Sequence, residues 1–120
     1  MPGPLLFVVD DEPAIAGTLE IILREENYTA VSFCDPLAAL TAAGAIQPDL
    51  LLSDYRMPGM DGLTLAGEVL RRCPKCKVLM FSAVPMLADK HPDRDRFEFL
   101  DKPIPMRHLL DRLQATLSAC

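Results

Sequence analysis

Four apolar runs, far apart in the chain, each finish on polar residues. They are Leu5-Leu6-Phe7-Val8-Val9-Asp10-Asp11-Glu12, Leu50-Leu51-Leu52-Ser53-Asp54, Val78-Leu79-Met80-Phe81-Ser82 and Phe97-Glu98-Phe99-Leu100-Asp101-Lys102-Pro103. Near-continuous apolar runs suit strands buried on both faces, as in a parallel sheet covered by helices. Stretches of helical spacing lie between them, and that alternation is the pattern of α/β chains. The pattern thereby signals an α/β chain with a parallel sheet whose strands bring their polar ends to one edge.

Leu5 to Asp10 reads as the first strand. Pro13 suits the first turn of a helix, where its missing N–H costs nothing, and Ile15, Leu19, Ile22 and Leu23 then repeat at helical spacing. Tyr28 to Phe33 reads as the second strand. Asp35-Pro36 is an N-cap followed by proline and opens a short Ala/Leu helix that stops near Gly44. Asp49 to Asp54 is the third strand, and Tyr55 to Asp61, with Pro58 and Gly59, is a loop. Leu63, Leu65, Ala66, Val69 and Leu70 mark a helix that Pro74 ends. Val78 to Ser82 and Phe97 to Asp101 are the fourth and fifth strands. The last helix runs from about Ile104 to Leu117, with Leu109, Leu110, Leu113 and Leu117 on one face. Between Ala83 and Arg96, Pro85 and Pro92 leave room for a short helix at most.

The chain has 120 residues, which fits one domain over 1–120, and half of them are hydrophobic, enough for a core. A net charge of −5 argues against nonspecific binding to nucleic acid or anionic lipid. No apolar run approaches the roughly 20 residues that span a bilayer. Met1-Pro2-Gly3-Pro4 lacks the basic start of a signal peptide. Cys34, Cys73, Cys76 and Cys120 do not space as a disulfide framework, so a cytoplasmic protein with reduced thiols is expected. Cys73-Pro74-Lys75-Cys76 is a lone CxxC that follows a helix instead of opening one. A redox pair gains from a helix N-terminus and a structural zinc needs four ligands, so neither reading is adopted. His91 and His108 read as surface residues, and Met57 and Met60 as packing for the loop.

In open α/β sheets, ligands collect beyond the carboxyl ends of the strands, where strand order reverses. Asp10, Asp11, Asp54, Ser82 and Lys102 all lie at such ends. Three carboxylates make a hard-oxygen site that suits Mg²⁺ together with phosphate oxygens. A carboxylate is also a competent nucleophile toward phosphorus. Such transfer needs positioning and charge neutralisation more than proton relays. Lys102 supplies charge, and Ser82 supplies a hydroxyl.

With Asp10-Asp11, the segment Ser53-Asp54-Tyr55-Arg56-Met57-Pro58-Gly59-Met60-Asp61-Gly62, Ser82-Ala83 and Lys102-Pro103 in order, the chain resembles the receiver domain of two-component response regulators. The resemblance covers nearly the whole chain. It implies a flavodoxin-like five-stranded parallel sheet of order 2-1-3-4-5 with helices on both faces. It implies a phosphoacceptor switch in which Asp54 takes a phosphoryl group from a histidine kinase, a phosphotransfer protein or a small phosphodonor. The protein would catalyse its own phosphorylation and dephosphorylation only. By the same match, Asp11, Asp54 and the Arg56 carbonyl hold Mg²⁺, and Asp10 acts through water on the metal. Lys102 pairs with the phosphoryl oxygens, next to a cis Lys102-Pro103 peptide. Ser82 and Phe99 are the hydroxyl and aromatic of the conformational switch. Arg56 and Val84 flank the path of attacking water.

The resemblance also implies a downstream effector or fused output domain, no nucleic-acid binding by this domain, no membrane contact, and a homodimer formed on phosphorylation. Arg94-Asp95-Arg96 stands where the family has a small-residue run ending in Gly-Ala, which implies an atypical or short fourth helix. Two other classes compete. A degenerate receiver would bind a partner without phosphorylation, but its usual losses, at Asp54 or Lys102, are not present. A phosphohydrolase of haloacid dehalogenase type needs an Asp-x-Asp pair after strand one, and here the acids are adjacent.

Overall fold

A computed structural model describes residues 3–82 and 97–118. Strands β1 (Leu5–Val9), β2 (Thr29–Phe33), β3 (Leu50–Asp54), β4 (Lys77–Ser82) and β5 (Glu98–Asp101) are joined by helices α1 (Pro13–Glu25), α2 (Pro36–Ala45) and α3 (Gly62–Arg72); α4 (Met106–Ser118) follows β5. Every strand pairing is parallel, and the order is β2-β1-β3-β4-β5, as expected from the resemblance. The expected short fourth helix and the reading of Val84 fall within 83–96, outside the described residues.

Successive side chains on a strand point to opposite faces, and that alternation sorts the core into two layers. Phe7, Val9, Leu51, Val78 and Met80 pack with Ala39 and Ala43 of α2 and with Leu63, Leu65, Ala66 and Val69 of α3. Leu6, Val8, Leu50, Leu52, Leu79, Phe81 and Leu100 pack on the other face with Leu19 and Leu23 of α1 and Leu109 and Leu113 of α4. Ile15 is the exception to the expected α1 stripe. It is exposed on the flank, and Ala16 takes the buried position beside Leu19 and Leu23.

The helix starts follow local chemistry. Asp35 Oδ1 accepts from the Leu37 N–H at 3.1 Å, and Asp61 Oδ1 accepts from the Thr64 N–H at 2.8 Å. Gly62, directly after the loop expected over Tyr55 to Asp61, is the first residue of α3. The last helix starts at Met106, later than the expected Ile104. Pro105 disfavours the helical conformation at Ile104, and the Leu109 N–H donates to the Pro105 carbonyl at 3.1 Å.

A charged clamp ties β5 to α4. The Glu98 carboxylate accepts from Arg112 Nε, from Arg112 Nη2 at 2.8 Å, and from Thr116 Oγ1 at 3.2 Å. The Arg112 hydrogen bonds hold the Glu98 carboxyl below its usual range, against the opposing effect of partial burial. A folded-state pKa below the unfolded one stabilises above the unfolded value. That contribution disappears as pH falls through the folded value. Glu98→Gln should therefore lower the melting temperature near neutral pH, and the gap should close as the solution is acidified below the usual carboxylate range. An equal gap at neutral and acid pH in thermal melts would show that the carboxylate charge is not the source.

Candidate functional site

The strand alternation that builds the core also builds the site. Leu6 and Val8 are followed on the same face by Asp10, Leu50 and Leu52 by Asp54, and Leu100 by Lys102. Three rows that face α1 and α4 thus run past the sheet's carboxyl edge into polar groups. The edge lies at β1 and β3, where strand order reverses.

One ligand oxygen from each of Asp10, Asp11 and Asp54 lies within 4.8 Å of the others. Asp10 is 1% exposed and Asp54 9%. Asp10 Oδ1 accepts from the Glu12 N–H at 3.0 Å, whereas its buried Oδ2 finds no partner among the described residues. Burial pushes the Asp10 carboxyl up, the Glu12 N–H opposes this, and the charges of Asp54 and Asp11 add to the rise while Lys102 offsets part of it. Lys102 Nζ stands 3.0 Å from Asp54 Oδ1. An orphaned buried oxygen amid converging carboxylates fits a small divalent cation. The all-oxygen donor set favours Mg²⁺ over zinc.

The remaining candidates fall around this centre. Ser82 ends β4, is buried, and its carbonyl accepts from the Lys102 N–H at 3.0 Å. The Lys102-Pro103 peptide is cis, as the resemblance implies. Phe99 on β5 is half-buried against the α3 layer, its ring 6.4 Å from that of Phe97 in an edge-on arrangement. By alternation, Ser82 and Phe99 belong to the face opposite Asp54 and Lys102. Arg56 lies two residues past Asp54, exposed, beside a shallow depression of about 440 Å³ shared with Tyr55, Met57, Pro58 and Asp61.

Two residues near Asp54 have roles that sequence reading does not assign. The Ser53 hydroxyl bonds the Asp54 carbonyl, and Gly62 lies against the same carbonyl, where a Cβ would stand 2.3 Å from its oxygen. Among the described residues, the CxxC cysteines do not join the carboxylate cluster. Cys73 Sγ donates to the Ala43 carbonyl and Cys76 Sγ to that of Lys77. Burial pushes both thiols up, Cys76 to about 12, which keeps them neutral and unreactive.

Residues 6–114 match the family model described as the response regulator receiver domain. The chain belongs to that family. It is 33% identical over 98% of its length to the DNA-binding transcriptional regulator NtrC of Escherichia coli, of which it covers 26%. It is 33% identical over 93% of its length to the DNA-binding response regulator MtrA of Mycolicibacterium smegmatis, of which it covers 50%. This receiver thus spans a quarter to a half of those relatives. The response regulator TrrA of Thermotoga maritima, solved in complex with Mg²⁺-BeF, superposes with a TM-score of 0.84 at 26% identity, covering 94% of this chain and 98% of that one. No helix among the described residues is long and apolar enough to cross a membrane.

Proposed function

We propose that this receiver is a phosphoacceptor switch of two-component signalling, with Asp54 as the acceptor. The observation that carries the reading is the convergence of Asp10, Asp11 and Asp54 within 4.8 Å, with Lys102 Nζ 3.0 Å from Asp54. An Asp54 carboxylate oxygen forms the new bond to phosphorus. The P–N bond of a phosphohistidine, or the P–O bond of an acyl phosphate, breaks. The electron pair leaves with the imidazole or carboxylate, and the imidazole takes a proton from water. Asp11, Asp54 and the Arg56 carbonyl would hold Mg²⁺, with Asp10 acting through water, and the metal when bound would neutralise phosphoryl charge; TrrA's Mg²⁺-BeF complex supports this. Lys102 supplies a second cation from the β5 side, and Ser82 a hydroxyl at the end of β4.

The phosphoryl group adds about −1.5 to −2 charge and new acceptor oxygens. Ser82 and Lys102 answer it, and Phe99 moves into space that Ser82 leaves. The result is a shift between two populations, limited by how differently each contacts the phosphoryl group. The donor is a histidine kinase or phosphotransfer protein in the cytoplasm, with acetyl phosphate as a small substitute. A groove of about 760 Å³ between α1 and α4, lined by Ile15, Phe81, Ile104 and Met106, shares Asp10 and Lys102 with the site and gives a protein donor an apolar approach. The output is a fused domain or separate effector, with dimer formation on phosphorylation.

The test is intact mass after incubation with Mg²⁺ and acetyl phosphate. The wild type should gain one phosphoryl group, only with the metal, and Asp54→Asn should gain none. An unmodified wild type, where another receiver is modified, would favour a partner-binding module without phosphorylation.

A further inference from the structure

We propose that Ser53 is a positioning residue that fixes the peptide from which Asp54 aims its carboxylate; this rests on the reading of Asp54 as the acceptor. Ser53 directly follows a run of three leucines and is fully buried. A hydroxyl in such a place needs a hydrogen-bond partner, and its partner is the main chain of the next residue. Ser53 Oγ donates to the Asp54 carbonyl at 2.9 Å.

That carbonyl sits where the sheet stops supporting it from one side. The β1–β3 register ends at the Val9–Ser53 pair, one residue short of Asp54. On the β4 side the ladder continues, and the Tyr55 N–H donates to the Phe81 carbonyl at 2.8 Å. The Asp54–Tyr55 peptide therefore has its N–H tied to β4 and its C=O tied to Ser53. A peptide is planar, so two bonds on opposite sides hold its plane. The Gly62 N–H donates to the Tyr55 carbonyl at 2.7 Å. A Cβ at Gly62 would lie 2.3 Å from the Asp54 oxygen and 2.5 Å from Met80 Sδ, so α3 sits hard against that carbonyl. Ser53, by its alternation with Leu51, comes from the same face as α3. With the backbone held this way, the Asp54 side-chain torsions are the freedom left to the nucleophile. In-line attack depends strongly on such aim.

Three variants separate this role from packing. Ser53→Ala removes one oxygen and should fold. At saturating Mg²⁺ and acetyl phosphate, its rate of phosphoryl uptake should fall on the order of tenfold, with the half-saturating donor concentration unchanged. The Tyr55 amide nitrogen, whose peptide carbonyl loses its donor, should shift in the metal-free NMR spectrum. Ser53→Thr, which keeps the hydroxyl, should restore both, and Asp54→Asn should take up no phosphoryl group. A Ser53→Ala protein with a lower melting temperature but a wild-type rate and Tyr55 resonance would overturn the proposal, because a structural role alone predicts that result. A wild type that takes up no phosphoryl group would instead overturn the acceptor reading, and this proposal with it.

Discussion

Replacing Lys102 by alanine should slow phosphoryl uptake on the order of 10²- to 10³-fold at saturating donor, the loss typical of one well-placed electrostatic group. The Lys102 ammonium stands 3.0 Å from Asp54 Oδ1, so with Asp54 as the proposed acceptor it would meet the charge on the incoming phosphoryl group as that charge redistributes. Its backbone is anchored, with its N–H on the Ser82 carbonyl at 3.0 Å. The position is therefore set by β4 and β5 and not by a flexible loop. Lys102→Arg should recover little, because a planar guanidinium cannot replace a compact ammonium on a stem of different reach. The alanine variant also leaves three converging carboxylates without their nearby cation. It should melt earlier than the wild type without metal, and Mg²⁺ should narrow that gap. Quenched time courses read by intact mass measure the rate. A loss below about threefold would mean that Lys102 pairs with Asp54 in the resting state but adds little to transfer.

The sheet was legible because its information is local. Each of β1, β3 and β4 is an apolar run ended by a polar residue, and Asp35 announces α2 as a side-chain cap. Asp10, Asp54 and Lys102 were legible because two-residue alternation carries a core row onto the site edge. Other features required the third dimension. Glu98 meets Arg112 and Thr116 across 14 and 18 residues of chain, between a strand and a helix that share no pattern. Ser53 reads as an ordinary strand-end residue until its hydroxyl is seen on the Asp54 carbonyl. Gly62 carries no signal of its role in the sequence, and the structure shows that its missing Cβ lets α3 approach that carbonyl. Ile15 has the spacing of a core residue, but α1 turns it to the groove beside the site. For Glu98 and Ile15 the deciding contact comes from an element distant in sequence, and for Ser53 and Gly62 it comes from the course of the nearby backbone.

Asp10→Asn should stabilise the metal-free protein and remove its response to Mg²⁺. The Asp10 carboxylate is almost wholly buried, one oxygen lacks a partner among the described residues, and Asp54 and Asp11 crowd it with like charge. Asparagine keeps the acceptor oxygen for the Glu12 N–H, which bonds Asp10 Oδ1 at 3.0 Å. Its amide nitrogen turns the orphaned side into a donor toward neighbouring carboxylates. Shape is conserved, a desolvated charge is removed, and mutual repulsion falls, so without metal the variant should melt higher. With Mg²⁺ the order should reverse. A cation at a hundred times its dissociation constant stabilises the folded state by about 2.7 kcal/mol, and the variant, without the anionic oxygen that would act on the cation through water, should forgo much of it. Thermal melts of both proteins in chelator and across a Mg²⁺ series give the two curves, which should cross. A variant less stable than the wild type in chelator would show that the Asp10 charge is well accommodated, and one that Mg²⁺ stabilises equally would place Asp10 outside the cation site. The expected crossing would mark Asp10 as a residue whose cost to the fold is accepted because it prepares the edge of the sheet for a cation.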